Sequence, residues 1–170
     1  SRSVIDNAHG VIFHSKTASR LAADWYGMGH SASFAEIPIL RKPNQQVDRS
    51  RSIARQALGL VEHDFVICSF GMMGPTKLNH KLLQAFLSSE LCGDRNCILV
   101  FAGEENPGDY GQELANLISD SKVSIRVRIT GWNSEQALRD YLLSADMAVQ
   151  LRAMSRGESS AAVLDCMNYG

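Results

Sequence analysis

Short apolar runs alternate along the chain with longer stretches in which apolar residues recur every three or four positions. Val11–Phe13, Phe65–Phe70 and Cys97–Ala102 are almost wholly apolar and have the length of buried strands. Thr17–Tyr26 places Leu21, Ala22 and Trp25 on one helical face, and Leu78–Leu87 does the same with Leu78, Leu82, Leu83 and Phe86. Tyr110, Leu114, Leu117 and Ile118 mark a third helix. Leu138, Tyr141 and Leu142 mark a fourth, for which Asn133 is the expected cap. Phe34–Leu40 reads as an extended run, Ser124–Ile129 and Asp146–Leu151 as strands, and a last helix begins at about Ser159. Strands apolar on both faces, alternating with amphipathic helices, predict an α/β fold with a parallel sheet covered on both sides.

One stretch breaks the alternation. Arg41-Lys-Pro-Asn-Gln-Gln46 is polar, contains a proline and shows no period, as a linker or domain crossing does. Beyond it the sheet pattern is regular, and ligands of such sheets lie beyond the carboxyl ends of the strands. The loops predicted there are Gly71–Lys77, Gly103–Asp109, Gly131–Asn133 and Arg152–Glu158. Glycine directly after a strand lets backbone approach a ligand closely.

Composition narrows the function classes. With 170 residues, 45% of them hydrophobic, the chain can bury a core of its own. A net charge of -1 argues against a nucleic-acid partner. Cys68, Cys92, Cys97 and Cys166 form no C-x-x-C pair, and the five histidines lack ligand spacing, so neither a disulfide framework nor a metal site is expected. Buried thiols suit a reducing, cytoplasmic setting. No apolar run approaches the roughly 20 residues that span a bilayer, and no signal peptide is visible. The chain begins without Met and ends at Gly170, so it is expected to be a piece of a longer protein.

Three segments carry candidate chemistry. In Ser69-Phe-Gly-Met-Met-Gly-Pro-Thr-Lys77 a strand runs into a glycine turn and a lysine just before a helix, which suits a diphosphate. It is neither a Walker A loop nor G-x-G-x-x-G, which makes a dehydrogenase a poor reading. In Arg156-Gly-Glu-Ser-Ser-Ala-Ala-Val-Leu-Asp165 a loop enters a helix. The N–H groups of Ser159, Ser160 and Ala161 would face outward there, and Glu158 and Asp165, nearly two turns apart, would share a helix face. In Ile129-Thr-Gly-Trp-Asn133, Gly131 presents Trp132 beside the crevice, where it could line a nucleobase pocket. Each segment also has a purely structural reading: a glycine turn with a solvated lysine, a capped helix with Asp165 in solvent, and a core tryptophan.

Taken in order, these segments resemble the C-terminal domain of family-4 (group 1) glycosyltransferases, which have the two-domain glycosyltransferase B fold. That family reads strand-G-R-x-x-x-x-K-G-helix, a strand-G loop, a G-[YFW] turn, a helix ending in A-D, and then E-x7-E. This chain has Gly71 and Lys77, then Gly131-Trp132, then Tyr141-Leu-Leu-Ser-Ala-Asp146, and then Asp165-Cys-Met-Asn-Tyr-Gly170. His9–Tyr26 is similar to the last strand and helix of the family's N-terminal domain, and Phe34–Pro43 to its crossing segment.

The resemblance implies a Rossmann-like half of that fold, truncated at its C-terminus. Residues 1–45 would be a remnant of the acceptor domain with the crossing linker, and 46–170 the donor-binding domain. It implies transfer of a sugar, with retention and without a metal or other cofactor, from a nucleoside-diphosphate sugar to a saccharide or lipid-linked acceptor. The implied partners are that donor, the acceptor and the missing N-terminal domain, with peripheral membrane contact at the inner face through the missing part. Lys77 and Glu158 are implied as catalytic. Gly71, Met72, Gly103, Gly131, Trp132, Arg156, Ser159, Ser160, Ala161 and Asp165 are implied as donor-binding. The chain departs from the pattern at three places. Met72 stands where the family has an arginine, Asp165 replaces the second glutamate, and Glu158 is displaced by one from the first, whose place falls on Gly157. Arg156 or Arg152 is expected to supply the absent guanidinium. Two alternatives remain open: a sugar-nucleotide epimerase of the same fold, and a domain that binds nucleotide or a protein partner without catalysis.

Overall fold

The computed structural model describes residues 2–27, 34–42 and 49–170. The expected domain boundary at 45/46 and the core of the linker lie outside these residues. The N-terminal part consists of α1 (Arg2–Asn7), β1 (Val11–Phe13), α2 (Lys16–Tyr26) and β2 (Phe34–Glu36). β1 and β2 pair in parallel, with Val11 opposite Phe34. Ser15 caps α2 by accepting from the Ala18 N–H, and Gly27 closes it in the left-handed region at φ 61°.

The larger part begins with α3 (Arg51–Ala57) and β3 (Phe65–Phe70), followed by a 3-10 turn at Pro75–Lys77 and α4 (Asn79–Ser88). Then come β4 (Cys97–Ala102), α5 (Asp109–Ser119), β5 (Val127–Ile129), α6 (Glu135–Ser144), β6 (Met147–Ala148) and α7 (Ala161–Tyr169). Among the described residues these strands form a four-stranded, all-parallel sheet in the order β5-β4-β3-β6.

The apolar runs of β3 and β4 supply both faces of the core because successive side chains alternate. Ile67, Leu99 and Phe101 point to one face, where they pack with Leu83 and Phe86 of α4 and Leu114 of α5. Val66, Cys68, Ile98 and Val100 point to the other, packing with Tyr141 of α6. Burial, then the neighbouring Cys166 and Asp146, pushes the Cys68 thiol up to about 12, so it is an inert part of that core.

Three expectations need correction, and one helix is not among those expected. The run at Ser124–Ile129 is a 3-10 turn over Ser124–Arg126 and a strand only from Val127, because just Val127–Ile129 reach the β4 ladder. The Asp146–Leu151 strand contracts to Met147–Ala148, since it is an edge strand with one neighbour, although the Asp146 N–H to Val66 O and Val149 N–H to Cys68 O bonds bracket it. Asn133 does not cap α6. Ser134 does, accepting from the Ala137 N–H at 3.2 Å, while the Asn133 amide donates to Thr130 Oγ1 at 2.7 Å. Finally, α3 has no apolar stripe and escapes a periodicity reading. Arginines hold it: Arg55, only 2% exposed, and Arg51 both reach Asp146 at the end of α6. Just ahead of α3, Arg49 binds Asp140 of α6 with both ends of its guanidinium, at 2.7 and 3.0 Å.

Candidate functional site

The strand order reverses at β3. β4 and β5 extend the sheet to one side of it, and the chain then returns to place β6 on the other. Loops leaving β3 and β6 therefore diverge, opening a crevice beyond their carboxyl ends. A cavity of about 340 Å3 lies at this end of the sheet. It is lined by Phe70, Gly71 and Met72 at the end of β3, by Ala102, Gly103 and Glu104 at the end of β4, by Trp132 and Asn133 after β5, and by Ala161, Ala162 and Asp165 of α7. Six of the residues expected at the site thus come together: Gly71, Met72, Gly103, Trp132, Ala161 and Asp165. Trp132 is 75% exposed and stands at the rim, which removes its reading as a core residue.

Glycine at two of these positions is dictated by backbone. Gly71 turns the chain at φ 102°, in a region that side chains rarely adopt. Gly103 lies against it: a Cβ there would sit 2.2 Å from the Gly71 carbonyl oxygen. The Met73 N–H to Glu104 O bond, 2.9 Å, keeps the two loops side by side. Replacing Gly103 by alanine must force it and the Gly71–Met72 turn apart. Urea unfolding is expected to show a loss of about 1–3 kcal/mol, as overpacked sites do. An unchanged midpoint would mean that the turn yields at no cost.

Lys77 ends the 3-10 turn that follows β3 and is half-buried. Desolvation, and then the nearby Arg152, lowers its amine pKa below the ordinary lysine value, while Glu158 acts in the opposite direction. Arg152 follows β6, and the Ala153 N–H to Thr76 O bond of 2.8 Å fastens its loop to the turn that carries Lys77. Arg152 Nη1 donates to Glu158 Oε1 at 2.7 Å, and the other Glu158 oxygen accepts from the Arg156 N–H at 2.6 Å and from Ser155 Oγ at 3.4 Å. Backbone N–H groups of Glu158 and Arg156, with smaller help from Arg152 and Ser155, hold the Glu158 carboxyl below the usual range.

The structure separates other expected members. Glu158 and Asp165 share no helix face, because α7 begins only at Ala161 with Ser160 as its cap. The N–H groups of Ala161 and Ala162 make no hydrogen bond among the described residues, and both residues line the cavity. Ser159 Oγ instead donates to the His14 carbonyl at 3.0 Å. Arg156 faces a second cavity, of about 550 Å3, that it shares with Phe13 and with Leu21 and Trp25 of α2. It does not line the first cavity. Gly131, at φ 70°, turns the chain ahead of Trp132 but does not itself line the cavity.

Besides the Ser159–His14 bond, further contacts tie the N-terminal part to this site, and none is visible in spacing or motif. Arg41 Nε donates to Asp165 Oδ1 at 2.5 Å. Ser15 Oγ donates to the Gly157 carbonyl, and a Cβ on Gly157 would lie 2.9 Å from the Ala18 nitrogen. Gly157 is thus fitted against the start of α2, which gives a packing reason for glycine where the family's first glutamate would stand. Among the described residues no group of three or more His, Cys, Asp or Glu is placed to hold a metal ion, and no helix is long and apolar enough to cross a membrane.

A search of curated proteins finds no match. Among solved structures the chain is similar to WaaG, a glycosyltransferase involved in lipopolysaccharide biosynthesis, with 16% identity and a TM-score of 0.78 over 93% of this chain and 41% of that one. It is similar to Anabaena HepE in complex with UDP, with 22% identity and a TM-score of 0.79 over 99% and 44% of the two chains. Sucrose-phosphate synthase from Thermosynechococcus elongatus gives 18% identity and a TM-score of 0.78 over 99% and 41%. At these identities the likeness is one of fold, that of half a glycosyltransferase B structure, and the chain spans less than half the length of each of these proteins. Residues 50–165 match the family model described as glycosyl transferases group 1. The match takes in every strand of the larger sheet and every loop of the crevice, and the chain belongs to the glycosyl transferases group 1 family.

Proposed function

We propose that this chain is the donor-binding part of a retaining glycosyltransferase that moves a sugar from a nucleoside-diphosphate sugar to a saccharide or lipid-linked acceptor. The reading is supported by the cavity at the end of the sheet where the strand order reverses, walled by glycine backbone and the start of α7, with the turn that carries Lys77 leaving β3 at the same end. HepE structures contain UDP or UDP-glucose, which supports a nucleotide sugar as the ligand class. Residues 46–170 form the donor domain in this reading, and 1–45 belong to the acceptor domain.

Chemically, the sugar–oxygen bond breaks as negative charge grows on the departing diphosphate. Lys77 and the outward N–H groups of Ala161 and Ala162 are fixed donors for that charge, and the step needs no metal or further cofactor. Trp132 lies against the nucleobase and Asp165 accepts from ribose hydroxyls. Peripheral membrane contact, where the acceptor is lipid-linked, belongs to the other domain.

Calorimetric titration of the chain with UDP-, ADP- and GDP-sugars is expected to give saturable binding of at least one donor. Incubation of the chain alone with donor and acceptors is expected to give no product. Absence of binding to any nucleoside diphosphate or its sugar would end the donor-binding reading, and turnover by the isolated chain would end the assignment of catalysis to two domains.

A further inference from the structure

We propose that Arg152 is the second diphosphate-binding cation of this site, and that Glu158 is a positioning residue that holds Arg152 rather than a contact to the sugar. The proposal rests on the donor-binding reading above and deepens it.

A diphosphate leaving group carries several charges, and beyond Lys77 the loop after β3 offers it no cation. Met72 ends in a thioether and is 59% exposed at the cavity mouth. Of the other cations at this end of the sheet, Arg41 is held by Asp165 and Arg156 faces α2. Arg152 remains, and its position follows from topology. Lys77 leaves β3 and Arg152 leaves β6, the two strands on either side of the reversal. The Ala153 N–H to Thr76 O bond then joins the residues next to them, so the two cations start from neighbouring stretches of backbone. The influence of Arg152 on the Lys77 amine agrees with that closeness.

Two like charges at one opening repel each other, and Glu158 offsets that repulsion. The loop from Arg152 to Glu158 folds back on itself through left-handed turns at Met154, φ 56°, and Gly157, φ 78°. This return brings Glu158 onto Arg152 at 2.7 Å, while the Arg156 N–H and Ser155 Oγ anchor its second oxygen. Both carboxylate oxygens are therefore engaged within the loop. Arginine has five N–H donors, and Glu158 takes one of them, Nη1, leaving the rest of the fork for phosphate oxygens. The displacement of Glu158 by one position from the family pattern fits the same assignment: its carboxylate serves the guanidinium that Met72 does not provide.

The test titrates the full chain with UDP, ADP and GDP, each against its nucleoside and one of its sugars. Wild type, Arg152→Ala, Arg152→Lys, Glu158→Gln, Arg156→Ala and the Arg152→Ala/Glu158→Gln double variant are compared, with thermal melting as the check on folding. Arg152→Ala is expected to weaken diphosphate binding on the order of 10- to 100-fold, the weight of a charge-assisted hydrogen bond, and to leave nucleoside binding unchanged. Arg152→Lys should recover part of the loss, and Arg156→Ala should bind as wild type does. Glu158→Gln should weaken the diphosphate and its sugar by the same factor, and the double variant should be no weaker than Arg152→Ala. Wild-type diphosphate affinity in Arg152→Ala overturns the role of Arg152. A Glu158→Gln variant that loses affinity for the sugar nucleotide alone overturns the role of Glu158. If wild type binds no diphosphate, the donor-binding reading itself falls, an outcome distinct from both.

Discussion

Replacing Lys77 by alanine is expected to lower sugar transfer by the full-length protein on the order of 100- to 1000-fold, the usual effect of removing one preorganised donor from a developing anion. The fold should survive, because the side chain of Lys77 closes no core contact and its turn is fixed by backbone bonds from the Lys77 N–H to Gly74 O and from the Ala153 N–H to Thr76 O. Steady-state kinetics with a melting curve on the same sample separates the two effects. The pH dependence has a definite sign. Burial and Arg152 depress the amine, so it loses its proton at lower pH than an ordinary lysine. Donor affinity should therefore fall as pH rises, beginning below the normal lysine range, and this slope should vanish in Lys77→Ala. Turnover equal to wild type in that variant would remove Lys77 from the reaction.

The second large effect concerns stability. Asp146 receives Arg51, Arg55 at 2.7 Å and the Val66 N–H at 2.8 Å. Arg55 is buried and also donates to the carbonyls of Val61, Glu62, Asp64 and Ser144, so it cannot turn to solvent when Asp146 is lost. Asp146→Ala leaves that guanidinium without a countercharge, which costs about 3–5 kcal/mol in buried pairs. Asp146→Asn keeps an acceptor for Val66 and should lose less. Urea unfolding measures both. A loss under about 1 kcal/mol in Asp146→Ala would class the cluster with surface ion pairs, whose weight is of that size.

The strands that are apolar on both faces, Phe65–Phe70 and Cys97–Ala102, were legible because such short runs, alternating with amphipathic helices, suit a parallel sheet covered on both sides. The loop glycines Gly71, Gly103 and Gly131 were legible for a related reason: the first two follow a strand directly, and Gly131 comes one residue later. What escaped depends on partners far along the chain. Helix α3 has no stripe to read, and its anchors Asp140 and Asp146 lie about 90 residues away. The choice between Arg152 and Arg156 is a matter of which way a folded-back loop presents each side chain, and composition is silent on that. Spacing misled at Glu158 and Asp165, where seven residues look like two turns but the first three are loop. The Arg41–Asp165 pair spans 124 residues and leaves no local trace.

The central place of β3 also sets an order of events during synthesis. Its edge toward β4 can be covered once Ala102 has been made, but the opposite edge waits for β6. Val66 and the Asp146 that caps it are 80 residues apart. At about 5–20 residues per second the ribosome needs on the order of 4–16 s to cover that distance. For that interval Val66, Ile67 and Cys68 form an open strand edge on a nascent chain. Only the return of the chain after α6, with its acid delivered to Arg51 and Arg55, retires this edge from competition with other chains.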